Sequence, residues 1–480
     1  MRNFLEMPRR EPEKKTVALR LRSFDEIYHY YSLAQVAPQA ERCIQCGNPF
    51  CAVIGCPLGN PIPQWLAAIA AGDLATAFQL SNESSPFPEI LGRICPHNLL
   101  CECACTLNDG YGAITIGAIE ASITDLGFAQ GLALPFPGVI RAPKVAVIGS
   151  GPAGLSCAHF LLRAGIGVDM YERADEPGGL LTLGIPNFKL DKGLVRHRFE
   201  MLCQAGLRLH LGQEVGRQIP FDDLLNRYDA LFLGLGATAG RLPKLAHERH
   251  GNVLRAMEFL PEIQHRLQGH PLPPRFNVRG KRIVVIGGGD TAMDCLRTSL
   301  REGAESVTCL YRRDPSNMPG SHKEYQNAQE EGATFLFRRA PTRILLDHDA
   351  GHLIGVEACH TRLEGLGADG RHQVEEVAGS EHCIPADLLI LALGFDVEES
   401  AFLLQAGVQT DRRRMVIDPR TGRTSHPKIY AGGDCARGAH LAVTAAADGR
   451  RAAMAIMERL LGEKSEATGS PALAGTVRSP

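Results

Sequence analysis

KVAVIGSGPAGL, residues 144–155, is an apolar run that breaks into Gly149, Gly151 and Gly154 and then continues as a helical pattern through the rest of LSCAHFLLRAG. Glycines at this spacing have separate geometric tasks. The first allows a tight turn, the second lets the backbone approach a pyrophosphate, and the third lets helix and strand pack closely. The helix N-terminus then faces the negative charge. The next predicted strand, VDMYER, ends near Glu172, an acid eighteen residues beyond Gly154, where a ribose hydroxyl needs an acceptor. A plain glycine-rich turn is the alternative reading. Strand, glycines, helix and acid together favour a dinucleotide seat, which we read as that of a flavin.

The 480 residues suffice for about three domains, and 44% hydrophobic residues fill substantial cores. With 51 basic and 53 acidic residues the formal charge is −2, so neither nucleic acid nor a membrane surface is expected as a partner. No apolar run approaches the roughly 18 residues of a spanning helix. MRNFLEMPRREPEKK at the start lacks the apolar core of a secretory signal, so the cytoplasm is the expected compartment and disulfides are not expected. Of fifteen cysteines, Cys43, Cys46, Cys51, Cys56, Cys95, Cys101, Cys103 and Cys105 precede the glycine motif. That concentration reads as metal or redox chemistry.

Residues 1–22 are basic and aperiodic, and read as a flexible arm able to dock on a partner. From Ser23 the pattern turns helical, with Ser23 as N-cap and Glu26 three residues on, a helix that would deliver Cys43. CIQCGNPFCAVIGCP and CPHNLLCECAC supply the eight thiols, with helical segments such as PIPQWLAAIAAGDLATAFQL between them. Thiolates are the ligands of iron–sulfur clusters, and eight suffice for two Cys₄ sets. Paired Cys₄ zinc sites are the alternative, although CxxC occurs once in this region and zinc has no redox role beside a flavin.

A Pro-rich link, LALPFPGVIRAP, marks a domain boundary near residue 140. After the first motif comes EPGGLLTLGIPNFKL, a broken loop that would approach the flavin ring or simply connect elements. YDALFLGLGATAGRLP, residues 228–243, reads as a buried strand that closes the first lobe. KRIVVIGGGDTAMDCLRTSL then repeats the glycine fingerprint, with Gly287, Gly289 and Ala292 beside Asp290 and Thr291. Its following strand, SVTCLYRRD, ends on Arg312 and Arg313 in place of an acid. Two guanidiniums suit a ribose 2′-phosphate, which points to NADPH over NADH; a solvated basic pair is the plain alternative. Near the C-terminus, KIYAGGDCARG places Gly433 and Asp434 before a long Ala-rich helix carrying Thr444. Asp434 is expected to accept bonds from the flavin's ribityl or diphosphate end, to cap that helix, or both. Gly179, Gly433 and Thr444 complete the flavin set.

With these residues in view, the chain resembles the small (beta) subunit family of bacterial NADPH-dependent glutamate synthases along essentially its whole length. The resemblance rests on FDEIY, QCGNPFC, CPLGNPIPQW, ICP with the following cysteines, AITIGAIE, GSGPAGL, GIPNFKL, GGGDTAMDC, YRRD with NMPGS, and YAGGD. The same module resembles the N-terminal part of dihydropyrimidine dehydrogenase. The resemblance implies electron flow from NADPH through FAD and two 4Fe-4S clusters to a large (alpha) subunit, in a hetero-oligomer that makes L-glutamate from L-glutamine and 2-oxoglutarate. It implies Cys43, Cys46, Cys51 and Cys105 as ligands of one cluster, and Cys56, Cys95, Cys101 and Glu120 as ligands of the other. Cys103, which the bare cysteine count would recruit, becomes a spare thiol. Four residues, AVIG, separate Cys51 from Cys56 where many relatives have three, so this loop must bulge.

The expected fold is α/β: a helical iron–sulfur domain (1–140), then two Rossmann-like dinucleotide-binding domains, with the FAD domain (141–255 and 396–462) interrupted by the NADPH domain (256–395). Residues 463–480 read as a disordered tail. Hydride transfer between nicotinamide and flavin needs stacking and orientation, so no catalytic acid or base is assigned. A two-dinucleotide disulfide reductase would share both fingerprints, but it needs a redox CxxC near the flavin, and the cysteine pair here lies outside both lobes. The same relay serving a different oxidoreductase or a ferredoxin-type acceptor is a second rival. A cofactor-bearing scaffold without catalysis fits poorly with two intact fingerprints.

Overall fold

The computed structural model describes residues 3–347, 351–367, 371–398 and 400–462; the expected tail lies outside them. The N-terminal region is helical: α1 (Leu33–Glu41), α2 (Phe50–Val53), α3 (Ile62–Ala70), α4 (Leu74–Ser84), α5 (Pro88–Ile94) and α6 (Ile116–Ala129). Its core gathers Trp65, Leu66, Ile69, Phe78, Ile119 and Ile123. The helix expected from Ser23 starts later, at Leu33. Gln35 Oε1 accepts from the Ser32 backbone N–H at 2.9 Å, so the N-terminal box is built on Ser32. Glu26 is not available for capping, because it accepts from Arg93 Nε at 2.7 Å and from the Asp191 N–H at 3.0 Å. Tyr28 and His29 instead pair as a short ladder with Lys14 and Glu13.

That ladder is part of a second correction. The basic arm is fastened to its own chain. Arg9 Nη1 donates to the Ala113 carbonyl at 2.8 Å, Arg42 Nε donates to the Met7 carbonyl at 3.0 Å, and Arg20 Nη2 reaches Glu330 at 2.7 Å. Within the arm, the guanidiniums of Arg9 and Arg20 find carbonyls and carboxylates of the same molecule.

The first lobe lays down β1 (Lys144–Ile148), α7 (Pro152–Arg163), β2 (Gly167–Tyr171), β3 (Leu207–His210) and β4 (Ala230–Leu233). β1 is buried from Val145 to Ile148, as a parallel strand covered on both faces must be. A two-residue antiparallel ladder, Ala239–Gly240 against Phe395–Asp396, bridges to the second lobe. There follow β5 (Val253–Arg255), β6 (Arg282–Ile286), α8 (Asp290–Arg301), β7 (Ser306–Tyr311), α9 (His322–Glu330) and β8 (Thr334–Phe337). An antiparallel sheet of β9 (Arg339–Leu346), β10 (Leu353–Leu366), β11 (His372–Glu376) and β12 (His382–Pro385) is inserted before β13 (Leu388–Leu391). β14 (Ile429–Ala431) and α10 (Ala442–Leu461) return to the first lobe.

The two five-stranded sheets have the orders β3-β2-β1-β4-β14 and β8-β7-β6-β13-β5, and every pairing within them is parallel. Two details differ from the sequence reading. β4, expected to close the first lobe, sits inside its sheet between β1 and β14. β5, which the 141–255 division gave to the first lobe, pairs Val253 with Leu389 in the second, so the chain has already crossed before residue 253.

A buried charge cluster binds the parts together. The GIPNFKL loop delivers Phe188, fully buried, under the guanidiniums of Arg297 and Arg301 at 4.3 and 4.0 Å from its ring centre. Lys189 Nζ meets Asp294 Oδ1 at 2.9 Å. Arg297 donates to Glu324 at 2.6 Å and to both oxygens of Glu331 at 2.9 Å. Arg20 from the N-terminal arm joins Glu331 at 3.5 Å. The loop therefore spans from the first glycine turn to the second lobe, and arm, loop and lobe share one set of paired charges.

Candidate functional site

At the first fingerprint, Gly149 has φ +95° and a Cβ there would stand 2.4 Å from the Gly234 carbonyl oxygen. Gly154 permits no side chain: its Cβ would lie 1.9 Å from the Gly149 oxygen. Gly151, the N-cap of α7, has open space at that point. These are the tight turn, the close packing and the free approach that a diphosphate seat requires. Gly179, with φ +55°, faces it, its Cβ position 3.0 Å from the Gly151 Cα.

Glu172 follows β2 and is buried. Its Oε2 accepts from the Ser150 N–H at 2.9 Å and the Ser150 hydroxyl at 2.6 Å, and Oε1 accepts from the Ala174 N–H at 2.9 Å. The carboxylate thus braces the glycine turn and keeps lone-pair capacity on Oε1 for a ribose hydroxyl. Ser150 was not singled out by the sequence, yet its hydroxyl also accepts from the Gly178 N–H at 2.9 Å, joining the turn to the Gly179 loop.

On the other side, Asp434 does not cap the long helix. It opens a single turn, Asp434–Arg437, and α10 begins at Ala442 after Leu441. Burial raises the Asp434 carboxyl to about 6. Its Oδ1 accepts from the His440 N–H at 3.2 Å. Thr444 lies in the first turn of α10, where its hydroxyl donates to the Leu441 carbonyl at 2.7 Å. Asp448, also missed by the sequence reading, anchors this corner by accepting from the Gly433 N–H at 3.0 Å and from Arg437 Nε at 2.9 Å.

The second fingerprint repeats the geometry. A Cβ on Gly287, φ +147°, would stand 2.3 Å from the Ala392 oxygen, while Gly289, the N-cap of α8, is open. Ala292 is fully buried, and Thr291 stands beside it in the first turn. Asp290 Oδ1 accepts from the Ser321 N–H at 2.9 Å, and Gly320 N–H donates to the Gly288 oxygen at 3.1 Å. NMPGS is therefore folded against the glycine turn. The arginine pair that follows β7 is split: Arg312 is exposed, whereas Arg313 is buried with Nε donating to the His372 carbonyl at 2.9 Å.

The cysteines separate into two groups. Burial raises the Cys51 thiol to about 12, and Cys105, Cys43 and Cys46 are the neighbours that add to it. Cys56, Cys95, Cys101 and Glu120 line one cavity, about 380 Å³ of atom-free space partly open to solvent, together with Asn60, His97 and Val443. Burial raises Cys56 to about 11 and Glu120 to about 8, with Glu120 also acting on Cys56. Small residues bring the acid there: a Cβ on Gly92 of α5 would stand 2.7 Å from the Gly117 oxygen and the Ala121 nitrogen of α6. The two helices thus cross in contact, and Glu120 on α6 faces Cys95 at the end of α5. Asn60 Nδ2 donates to Glu120 Oε1 at 2.9 Å, and Trp65 Nε1 donates to Asn60 Oδ1 at 3.0 Å, so the carboxylate is held from behind. Among the described residues no three His, Cys, Asp or Glu side chains converge tightly enough on a single ion. Cys103 is exposed and does not line the cavity. Seven thiols and one carboxylate in two groups are a donor set that fits iron–sulfur clusters.

A thiol-rich helical region joined to two dinucleotide-binding lobes defines a pyridine-nucleotide oxidoreductase. Residues 143–449 match the family model described as pyridine nucleotide-disulphide oxidoreductase, and residues 20–132 match dihydropyrimidine dehydrogenase domain II, 4Fe-4S cluster. The chain is 44% identical over 465 residues to the glutamate synthase [NADPH] small chain of Escherichia coli, covering 95% of this chain and 98% of that one. It is 45% identical over 465 residues to the putative oxidoreductase AegA of the same organism, covering 95% of this chain and 70% of that one. The structure of Mycobacterium tuberculosis FprA in complex with NADPH superposes with a TM-score of 0.56 at 20% identity, over 67% of this chain and 85% of that one, which shows a shared fold. The chain belongs to the glutamate synthase [NADPH] small-chain family. Among the described residues no helix is long and apolar enough to cross a membrane.

Proposed function

We propose that the chain is the cytoplasmic electron-input subunit of a glutamate synthase, taking electrons from NADPH and delivering them to a large subunit that forms L-glutamate from L-glutamine and 2-oxoglutarate. FAD, when bound, converts a two-electron donor into a one-electron source, and two 4Fe-4S clusters carry electrons singly. Gly149, Gly151, Gly154, Gly179, Glu172, Gly433, Asp434 and Thr444 hold the flavin dinucleotide. Gly287, Gly289, Asp290, Thr291, Ala292, Arg312 and Arg313 hold NADPH. Cys43, Cys46, Cys51 and Cys105 bind one cluster, and Cys56, Cys95, Cys101 and Glu120 the other.

One observation carries the relay. The cavity of the second cysteine group is lined in part by Val443, the residue before Thr444 in the first turn of α10. The iron–sulfur region therefore meets the flavin lobe at its candidate flavin residues, and Arg450 Nη1, donating to the Leu58 carbonyl at 2.7 Å, fixes the two together. The first group lies on loops and on the short α2, which together expose Ile44, Phe50, Val53 and Ile54, an apolar rim of the kind a partner covers. Electrons pass from the flavin lobe to the inner group, then to the outer group and the large subunit.

A second reading keeps the relay and changes the acceptor to another oxidoreductase, which the 45% identity to AegA favours. Reconstitution separates the two. The purified chain is expected to oxidise NADPH with an artificial acceptor and to make no glutamate until the large subunit is added. Glutamate from the chain alone, or a competent large subunit that the chain fails to drive, contradicts the proposal.

A further inference from the structure

The inserted antiparallel sheet of the second lobe carries a consequence for nucleotide choice. Its long hairpin, β10 to β11, returns to the end of β7, where the arginine pair stands. Two bonds tie it there, Arg313 Nε to the His372 carbonyl at 2.9 Å and the Thr361 hydroxyl to the Arg312 carbonyl at 2.7 Å, and at the start of the inserted sheet the Arg338 N–H donates to the Arg313 carbonyl at 2.9 Å. His372 is the first residue of β11 and pairs with Leu366. Arg371 precedes it directly and is exposed. Burial raises the Tyr311 phenol at the end of β7, and the positive charges opposing that rise belong to Arg313, Arg371 and Arg312. Arg371, one residue from the carbonyl that holds Arg313, therefore lies beside the arginine pair on a separate element. Arg313 is fixed through Nε and also interacts with the Tyr311 phenol.

We infer that Arg371, presented by the β10–β11 hairpin, is a specificity-determining residue that completes the pocket for the 2′-phosphate of NADPH with Arg312 and Arg313. The inference rests on the assignment of NADPH to the second lobe. A doubly charged phosphate among three cations recruits each through charge-assisted bonds, and a ribose 2′-hydroxyl gains little from them. Discrimination is thus set by an insertion outside the dinucleotide-binding fingerprint, with the His372 carbonyl aiming Arg313.

The test is calorimetric binding of NADP⁺ and NAD⁺ to the full flavin-loaded chain, as wild type and as Arg312→Ala, Arg371→Ala and Arg371→Lys. Arg371→Ala is expected to weaken NADP⁺ binding at least about tenfold and leave NAD⁺ unchanged, with Arg371→Lys intermediate. Unaltered flavin content and thermal midpoint show that the variants are folded. A wild type that prefers NADP⁺ through Arg312 but is indifferent to Arg371→Ala overturns this inference alone. Equal affinity of the wild type for both nucleotides overturns the assignment of NADPH to this site.

Discussion

At the scale of single residues, Glu120 is the most informative. It is an acid held among thiols, raised to about 8 by burial and braced by Asn60 and Trp65. Glu120→Ala is expected to remove roughly four irons per chain and Cys103→Ser to remove none, read by iron and acid-labile sulfide analysis. His159 on α7 gives a prediction of a different kind. It is fully buried against Phe136 and Phe160, and neither ring nitrogen has a hydrogen-bond partner. Burial, aided by the charges of Arg198 and Arg163, holds its pKa well below the ordinary value. Above about pH 6.5 both folded and unfolded states keep this imidazole neutral; below it the unfolded state takes a proton that the native state refuses, so stability falls by at most about 1.4 kcal/mol per pH unit. His159→Phe is expected to flatten the acid limb of a denaturation series between about pH 4 and 6.5. An unchanged slope would contradict this assignment. Residues that carry their chemistry at fixed spacing, such as the cysteines and glycines, were legible in the sequence. Asn60, Ser150 and Asp448 were not, because each acts through a neighbour that only the fold brings near.

Among the elements, the two strand–turn–helix units were readable because strand, glycines and helix are contiguous and every local preference agrees. Their tightness gives a sharp expectation. Gly154→Ala places a methyl 1.9 Å from the Gly149 oxygen, and only backbone movement relieves it, at about 1–3 kcal/mol. Flavin retained per chain after gel filtration should drop severely, whereas Gly251→Ala, with open space at its Cβ position, should retain it fully. Equal retention in both variants would show that the turn tolerates a side chain. The misread elements share one cause. Ser23 and Glu26 look like a helix start, but Glu26 is drawn to Arg93 from a distant helix. Asp434 looks like the cap of α10, but Gly438 ends its single turn before that helix starts. In both, a partner or a glycine outside the local pattern outweighs it.

In the whole molecule, arm, flavin lobe and nucleotide lobe converge on the cluster of Lys189, Asp294, Arg297, Arg301, Glu324 and Glu331. Removing one member of a buried set of paired charges strands the others, so Arg297→Ala is expected to cost about 3–5 kcal/mol. Arg241→Ala, which breaks an exposed pair with Asp396, should cost under about 1 kcal/mol. Denaturant unfolding of the full chain measures both, and equal small losses would show that the cluster does not hold the lobes together. No sequence pattern announced this cluster, since its charges come from segments as far apart as residues 20 and 331. The central claim, that NADPH, flavin and two clusters form one relay in this chain, is tested most directly by anaerobic analysis of a single sample. Iron, labile sulfide, zinc and flavin are determined per polypeptide, and NADPH is then added while the flavin absorbance is followed. The relay predicts about eight irons, about eight sulfides and one flavin that NADPH bleaches. Zinc without labile sulfide, or a flavin untouched by NADPH, would contradict it.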